Sequence, residues 1–201
     1  MKKIFATVVA ASMMLVGTGA FAQINRDNLS VGAGWVNSTL SHKSAGSDNF
    51  NGIYLGLSYD IPVASVAGLS VEPGLYWEHF STGGDVRQNE SYLQIPVMAK
   101  YSFDLASDTR FFVYAGPTLS AGLTSKLKNT AGGSTVSTNL YGSDSDYGRF
   151  DVLIGLGAGV DLMEHYRIKL GYSYGLVNRY TGSLDAALHR SEVTLGVAYL
   201  F

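Results

Sequence analysis

Few residues in this 201-residue chain have the types and spacing to do chemistry. His79 and Ser81 stand two apart in "HFS", so on a strand they share one face. A histidine beside a serine is the start of a nucleophilic hydrolase, but that chemistry also needs an acid behind the histidine and donors for an oxyanion. The sequence places neither. Asp144 and Asp146 in "DSDYG" could begin a calcium loop, yet the twelfth position, which should be Glu, is Gly155. "GLGAGV" at 155–160 lacks the last glycine of a dinucleotide fingerprint and falls within a strand pattern, which leaves it a packing role. The four histidines share no metal-ligand spacing, and there is no cysteine. No catalytic residue, cofactor site or metal site is assigned.

The chain opens on "MKKIFATVVAASMMLVGTGAFAQ": two lysines, an apolar run from Ile4 to Val16, then small residues. The run falls short of the ~18–20 residues of a membrane helix, and Ala20-Phe21-Ala22 has the shape of a leader-peptidase site. A signal peptide over 1–22 is predicted, with cleavage between Ala22 and Gln23 and one domain over 23–201. Removing Lys2 and Lys3 leaves 12 basic against 16 acidic residues, no footprint for nucleic acid. An exported chain without cysteine has no disulfide to hold it, so its stability must come from elsewhere.

Beyond the leader the chain alternates with period two, eight times over. The strands are predicted near 29–35, 53–61, 69–78, 92–104, 111–120, 150–161, 166–176 and 192–201. One face of each is apolar and free of Asp, Glu, Lys and Arg. The other face carries glycine, inward tyrosines and charges, among them Glu72, Lys100, Asp161, Arg167, Lys169 and Glu192. Trp35, Trp77, Tyr101, Phe103, Tyr166, Tyr199 and Phe201 lie towards the ends of the apolar rows, as interface aromatics do. A charge-free face against a polar, glycine-rich one is the pattern of a barrel with lipid outside and a polar lumen, not of a soluble calyx. The fold class is therefore all-β: an eight-stranded antiparallel up-and-down transmembrane β-barrel in the outer membrane, behind a cleavable signal peptide.

The connections are expected at 41–51, 62–68, 81–89, 105–109, 124–148, 163–165 and 179–189, alternately long and short. Short turns are periplasmic and long loops external in such barrels, so both termini are placed in the periplasm. In a lumen this narrow the charges must pair. Glu72 is expected to bridge Lys100 and Lys169, with Arg167 and Asp161 as a second pair. Bulges are expected at Pro73, Pro96 and Pro117, because a closed barrel has no edge for proline. Leu156 should face lipid, and its inward neighbour Gly157 should tolerate serine.

"YLQIPVMAKYSF", together with the later "FFVYAGPTLS", "FDVLIGLGAGVDL" and "LGYSYGLVN", resembles the PorT-like family of outer-membrane barrels, of the OmpX/OmpA-like eight-stranded type, over residues 27–201. The resemblance implies a barrel often labelled porin-like, without a defined activity. The closing strand "SEVTLGVAYLF", with Tyr199 and the terminal Phe201, resembles the signal by which the barrel-assembly machinery recognises its clients. His79-x-Ser81 is similar to the His-x-Ser of outer-membrane lipid A deacylases. The expected function is that of a non-enzymatic, monomeric outer-membrane protein in contact with outer-membrane lipids, acting through its external loops or partners. A small-solute channel and a lipid hydrolase are the alternatives.

Overall fold

The structure is a computed structural model, and it describes residues 26–42, 46–82, 86–131, 134–139, 141, 148–180 and 188–201. After a single 3-10 turn, Arg26–Asn28, come β1 Leu29–His42, β2 Gly46–Tyr59, β3 Ile61–Pro62, β4 Leu69–Ser81, β5 Val86–Ala106, β6 Thr109–Ala131, β7 Ser134–Asn139, β8 Phe150–Leu162, β9 Tyr166–Gly175 and β10 Leu188–Leu200. Eight of these form the wall in chain order, each antiparallel to the next. β10 returns to β1, with Ser30 opposite Leu200 and Gly34 opposite Gly196, so the sheet closes. β3 only extends the wall beside β4, and β7 folds back on the outer part of β6. Closure leaves the eight-stranded wall no open edge, which a chain in lipid requires.

Alternation separates the two faces as the sequence predicts. Leu156 and Val197, in the apolar rows, are 63% and 62% exposed, whereas Glu72 and Glu192 on the other face are 3% and 2% exposed. The apolar band is ringed at the end carrying the termini by Tyr101, Phe103, Phe111, Tyr166, Tyr199 and Phe201, with Tyr101 and Phe103 edge to face at 4.7 Å. The Phe201 amide donates to Leu29 O at 3.1 Å, so the last residue is tied into the wall. Turns at this end are short: 107–108 joins β5 to β6 and 163–165 joins β8 to β9. Met163 and Glu164 take φ of 52° and 61°, the left-handed pair that matches strand twist in a tight hairpin.

Three expectations are overturned. Among the described residues the long loops are partly strand: β1, β2, β5, β6 and β10 run on past the apolar band into segments expected to be irregular, and β7 lies wholly inside one of them. Beyond lipid the outer face turns polar, so alternation of hydropathy stops while the ladder does not. Asn37 Nδ2 donates to Asn51 Oδ1 at 3.1 Å, and Thr39 Oγ1 to Asn49 Oδ1 at 2.6 Å. The prolines cause no bulge. β4–β5 keeps one register from Leu69 to Ser81, with the pairing interrupted only beside Pro96, and β6–β8 runs through Pro117 unshifted. A missing N–H costs a rung, not a register. The shifts lie instead between Ser91 and Tyr92 and between Asp104 and Ala106. Finally, Gly157 is not a tolerant site, since a Cβ there would collide with the Tyr114 ring and Leu170 O.

Candidate functional site: the lumen and its two mouths

β4, β5, β8 and β9, with Asp60 between β2 and β3, aim their inward charges at one level near the terminus end. There Glu72 is the hub: Lys169 Nζ lies 2.5 Å from its Oε1, and Arg167 and Lys100 reach Oε2 at 2.8 and 3.3 Å. Arg167 also forks onto Asp161, Nε to Oδ1 at 2.6 Å and Nη2 to Oδ2 at 2.9 Å. The five residues expected in a lumen network are therefore brought together, as one cluster rather than two pairs. Asp60 is the member that sequence reasoning left out. It takes Lys100 at 2.5 Å and Arg167 at 3.1 Å, which gives three carboxylates for three cations. Its signal was the inward parity of β2, read as far as Ile61. Lys100 and Arg167 lie over the Phe112 ring at 5.3 and 4.9 Å, and Lys169 over Tyr114 at 4.7 Å. Such full pairing is what makes buried charge tolerable.

On the terminus side this layer floors an open vestibule of about 690 Å³, lined by Asp27, Asp104, Asp108, Arg110, Glu164 and Phe201 among others. On the other side rings fill the bore. Tyr54 packs edge to face on Tyr76 at 5.9 Å, and a cavity of about 90 Å³ is lined by these rings and Tyr114, with Glu72 and Lys169 at one end and Glu78 and Glu192 at the other. Glycine makes room for the rings: a Cβ at Gly196 or Gly34 would strike Tyr54. The run "GLGAGV" therefore seats Tyr114 and Phe112 rather than a nucleotide, since Gly157 and Gly159 back onto those rings.

A second polar layer lies towards the hairpin end. Gln94 Nε2 donates to Glu78 at 2.6 Å and to Glu192 at 3.1 Å, while Arg190 pairs with Glu192 at 3.2 Å and donates to Ser120 at 2.8 Å. Above it, Tyr92 OH donates to Glu90, which also accepts from Ser125 at 2.7 Å and Gln88 at 2.9 Å. Ser125 points inward because the register shift beside Ser91 inserts Leu123 and reverses the parity of β6. Around this layer sits an apolar cluster of Val36, Leu40, Phe50, Phe80 and Leu188, all buried inside the barrel. The sequence reading missed it, together with Glu90, Arg179 and Arg190, because those positions fell outside the strands it drew or broke the apolar-outward rule. The connections supply the last pieces. Arg179 and Tyr141 are buried over the mouth, and burial pushes the Tyr141 phenol above its ordinary pKa although the Arg179 charge opposes it.

Residues 21–180 match the family model described as outer membrane protein beta-barrel domain. The chain belongs to that family. Among solved structures it is similar to Neisserial surface protein A, with 17% identity, 86% of this chain and 97% of that one covered, and a TM-score of 0.51. Ail of Yersinia pestis in complex with the heparin analogue sucrose octasulfate gives 14%, 87%, 98% and 0.51. The outer membrane enzyme PagL gives 14%, 84%, 99% and 0.52. At these identities the likeness is one of fold. No curated protein matches the chain. A barrel of this family is an outer-membrane protein.

The other candidate residues lie on the outer face and the rim. His79 is on the outward face of β4, stacked on Trp77 at 5.7 Å, with Nδ1 2.9 Å from Ser91 Oγ. Ser81 donates to Asn89 Oδ1 at 2.8 Å. Tyr199 and Phe201 pack edge to face at 5.2 Å on the rim. Ala22, Gln23, Asp144 and Asp146 lie outside the described residues.

Proposed function

We propose that this barrel is a non-enzymatic, monomeric outer-membrane protein that works through its hairpin end, exported by the 1–22 leader and inserted by the barrel-assembly machinery. Both termini face the periplasm and the long hairpins face outward, as the short turns at the terminus end suggest. The observation that carries this reading is the filled lumen. Two polar layers with Tyr54, Tyr76 and Tyr114 between them occupy the bore of an eight-stranded barrel, which supports a sealed barrel over a small-solute channel. The order of its motifs supports a PorT-like type within the family.

One observation favours a second reading, a lipid hydrolase: His79, Ser91 and Ser81 stand together on the lipid-facing side. Two others weigh against it. His79 Nδ1 meets a hydroxyl rather than a carboxylate among the described residues, and the Ser81 hydroxyl is directed at Asn89. One experiment separates the readings. The connections at 140–149 and 176–187 are replaced by short turns, and cells are scored both for envelope partners recovered with the barrel and for lipid A acylation. Loss of partners with an unchanged lipid profile supports the proposal. Deacylation by the native protein that disappears in Ser81→Ala overturns it in favour of the hydrolase.

A further inference from the structure

We propose that Glu78 and Glu192 form a proton site inside the lumen, where one proton is held between an acid and a carboxylate. Glu78 comes from β4 and Glu192 from β10, with β1 and β2 between them in the wall. The two side chains therefore meet across the bore, and both are buried. Gln94 Nε2 ties them together by donating to Oε2 of each, at 2.6 and 3.1 Å. Both hydrogens of that amide are thereby used. The two carboxyl groups are also hydrogen-bonded to one another. A carboxylate has no hydrogen to give, so this last bond requires a proton on one of the pair.

The charges around the pair lead to the same result. Two carboxylates in contact and away from water do not both ionise unless cations match them. Glu72 has three such cations. Here, among the described residues, Arg190 is the one cation within ion-pair distance of either carboxyl, 3.2 Å from Glu192 Oε1. Asp151 of β8 draws on the same guanidinium. Tyr54 of β2, Tyr76 of β4 and Tyr114 of β6 bring hydroxyls rather than charge, and Lys169 of β9, at the far end of the cavity, is held by Glu72. Tyr92 of β5, cross-strand from Glu78, takes Glu90 and Arg179 as its own partners. Arg190 also decides where the proton sits. It steadies negative charge on Glu192, which leaves Glu78 as the acid. Glu192 Oε1 is free to receive the bond, since it accepts no hydrogen bond from another described residue.

The test is infrared spectroscopy of the refolded full barrel in an ester-free detergent, with isotope-labelled glutamate incorporated to mark the glutamate carboxyls. At neutral pH the wild type should show a protonated-carboxyl carbonyl band that moves with the label. Glu78→Gln should abolish it. That variant should still refold, with a folding equilibrium constant within about threefold of wild type, because an amide replaces a neutral acid of the same shape. Glu192→Gln should abolish the band as well, since Glu78 then carries the charge opposite Arg190. A band that survives Glu192→Gln would mean that Glu78 keeps its proton alone, which overturns the shared site. Absence of the band in the wild type overturns it too, as does failure of Glu78→Gln to refold. A wild type without the band, whose urea midpoint instead follows sodium concentration, would hold a metal cation in the proton's place, and the proposal falls.

Discussion

Replacing Glu72 by alanine should be among the costliest single changes in the lumen. The carboxylate is 3% exposed and contacts Lys169, Arg167 and Lys100 at 2.5, 2.8 and 3.3 Å. Arg167 and Lys100 keep Asp60 and Asp161 after the change, but Glu72 is the acid that holds Lys169, so a largely buried ammonium, 18% exposed, loses its carboxylate. Breaking a buried pair from one side costs about 3–5 kcal/mol. Lys169→Met should cost less, about 1–2 kcal/mol, because Glu72 retains two cations. The double variant leaves two acids facing two bases, and should cost at least about 1.5 kcal/mol less than the sum of the singles. Urea titration in lipid vesicles measures this through the two tryptophans, Trp35 and Trp77, which both face outward. A loss under about 1 kcal/mol for Glu72→Ala, or strict additivity in the double variant, would refute the reasoning.

Leu156→Arg, in the middle of a lipid-facing row, should destabilise by about 2–4 kcal/mol in the same titration. Gly157→Ser should cost about 1–3 kcal/mol through its collision with Tyr114; a neutral result would mean that the ring has room to move. Deleting Phe201 removes the Tyr199 contact and the hydrogen bond its amide donates to Leu29 O, so refolding in detergent should be mildly impaired. In cells, yield in the outer membrane should collapse, and yield equal to wild type would leave Phe201 as a rim residue alone.

The wall was legible because a membrane barrel has a different solvent on each face, which stamps period two on residues such as Leu156 and Gly157. The charge cluster was legible for the same reason, since Glu72, Lys100 and Lys169 sit on the polar parity within the lipid band. Legibility ended where lipid ends. In "NSTLSH" and "GSDNFN" both faces are polar or mixed, so β1 and β2 continue without a hydropathy signal. Leu123 shifts β6 by one residue, and no local pattern announces that Ser125 turns inward. Phe80 and Val36 break the rule outright by packing inside, in the apolar cluster with Leu40, Phe50 and Leu188. Arg179 was invisible because its partners, Tyr92, Tyr141 and Gly148, come from two distant segments.

The most direct test of the sealed barrel is the current carried by the purified protein in a planar lipid bilayer. The filled lumen predicts a baseline close to that of bare lipid, with leakage appearing in Glu72→Ala if that variant inserts. A large, steady conductance in the wild-type protein would contradict the account and establish the channel.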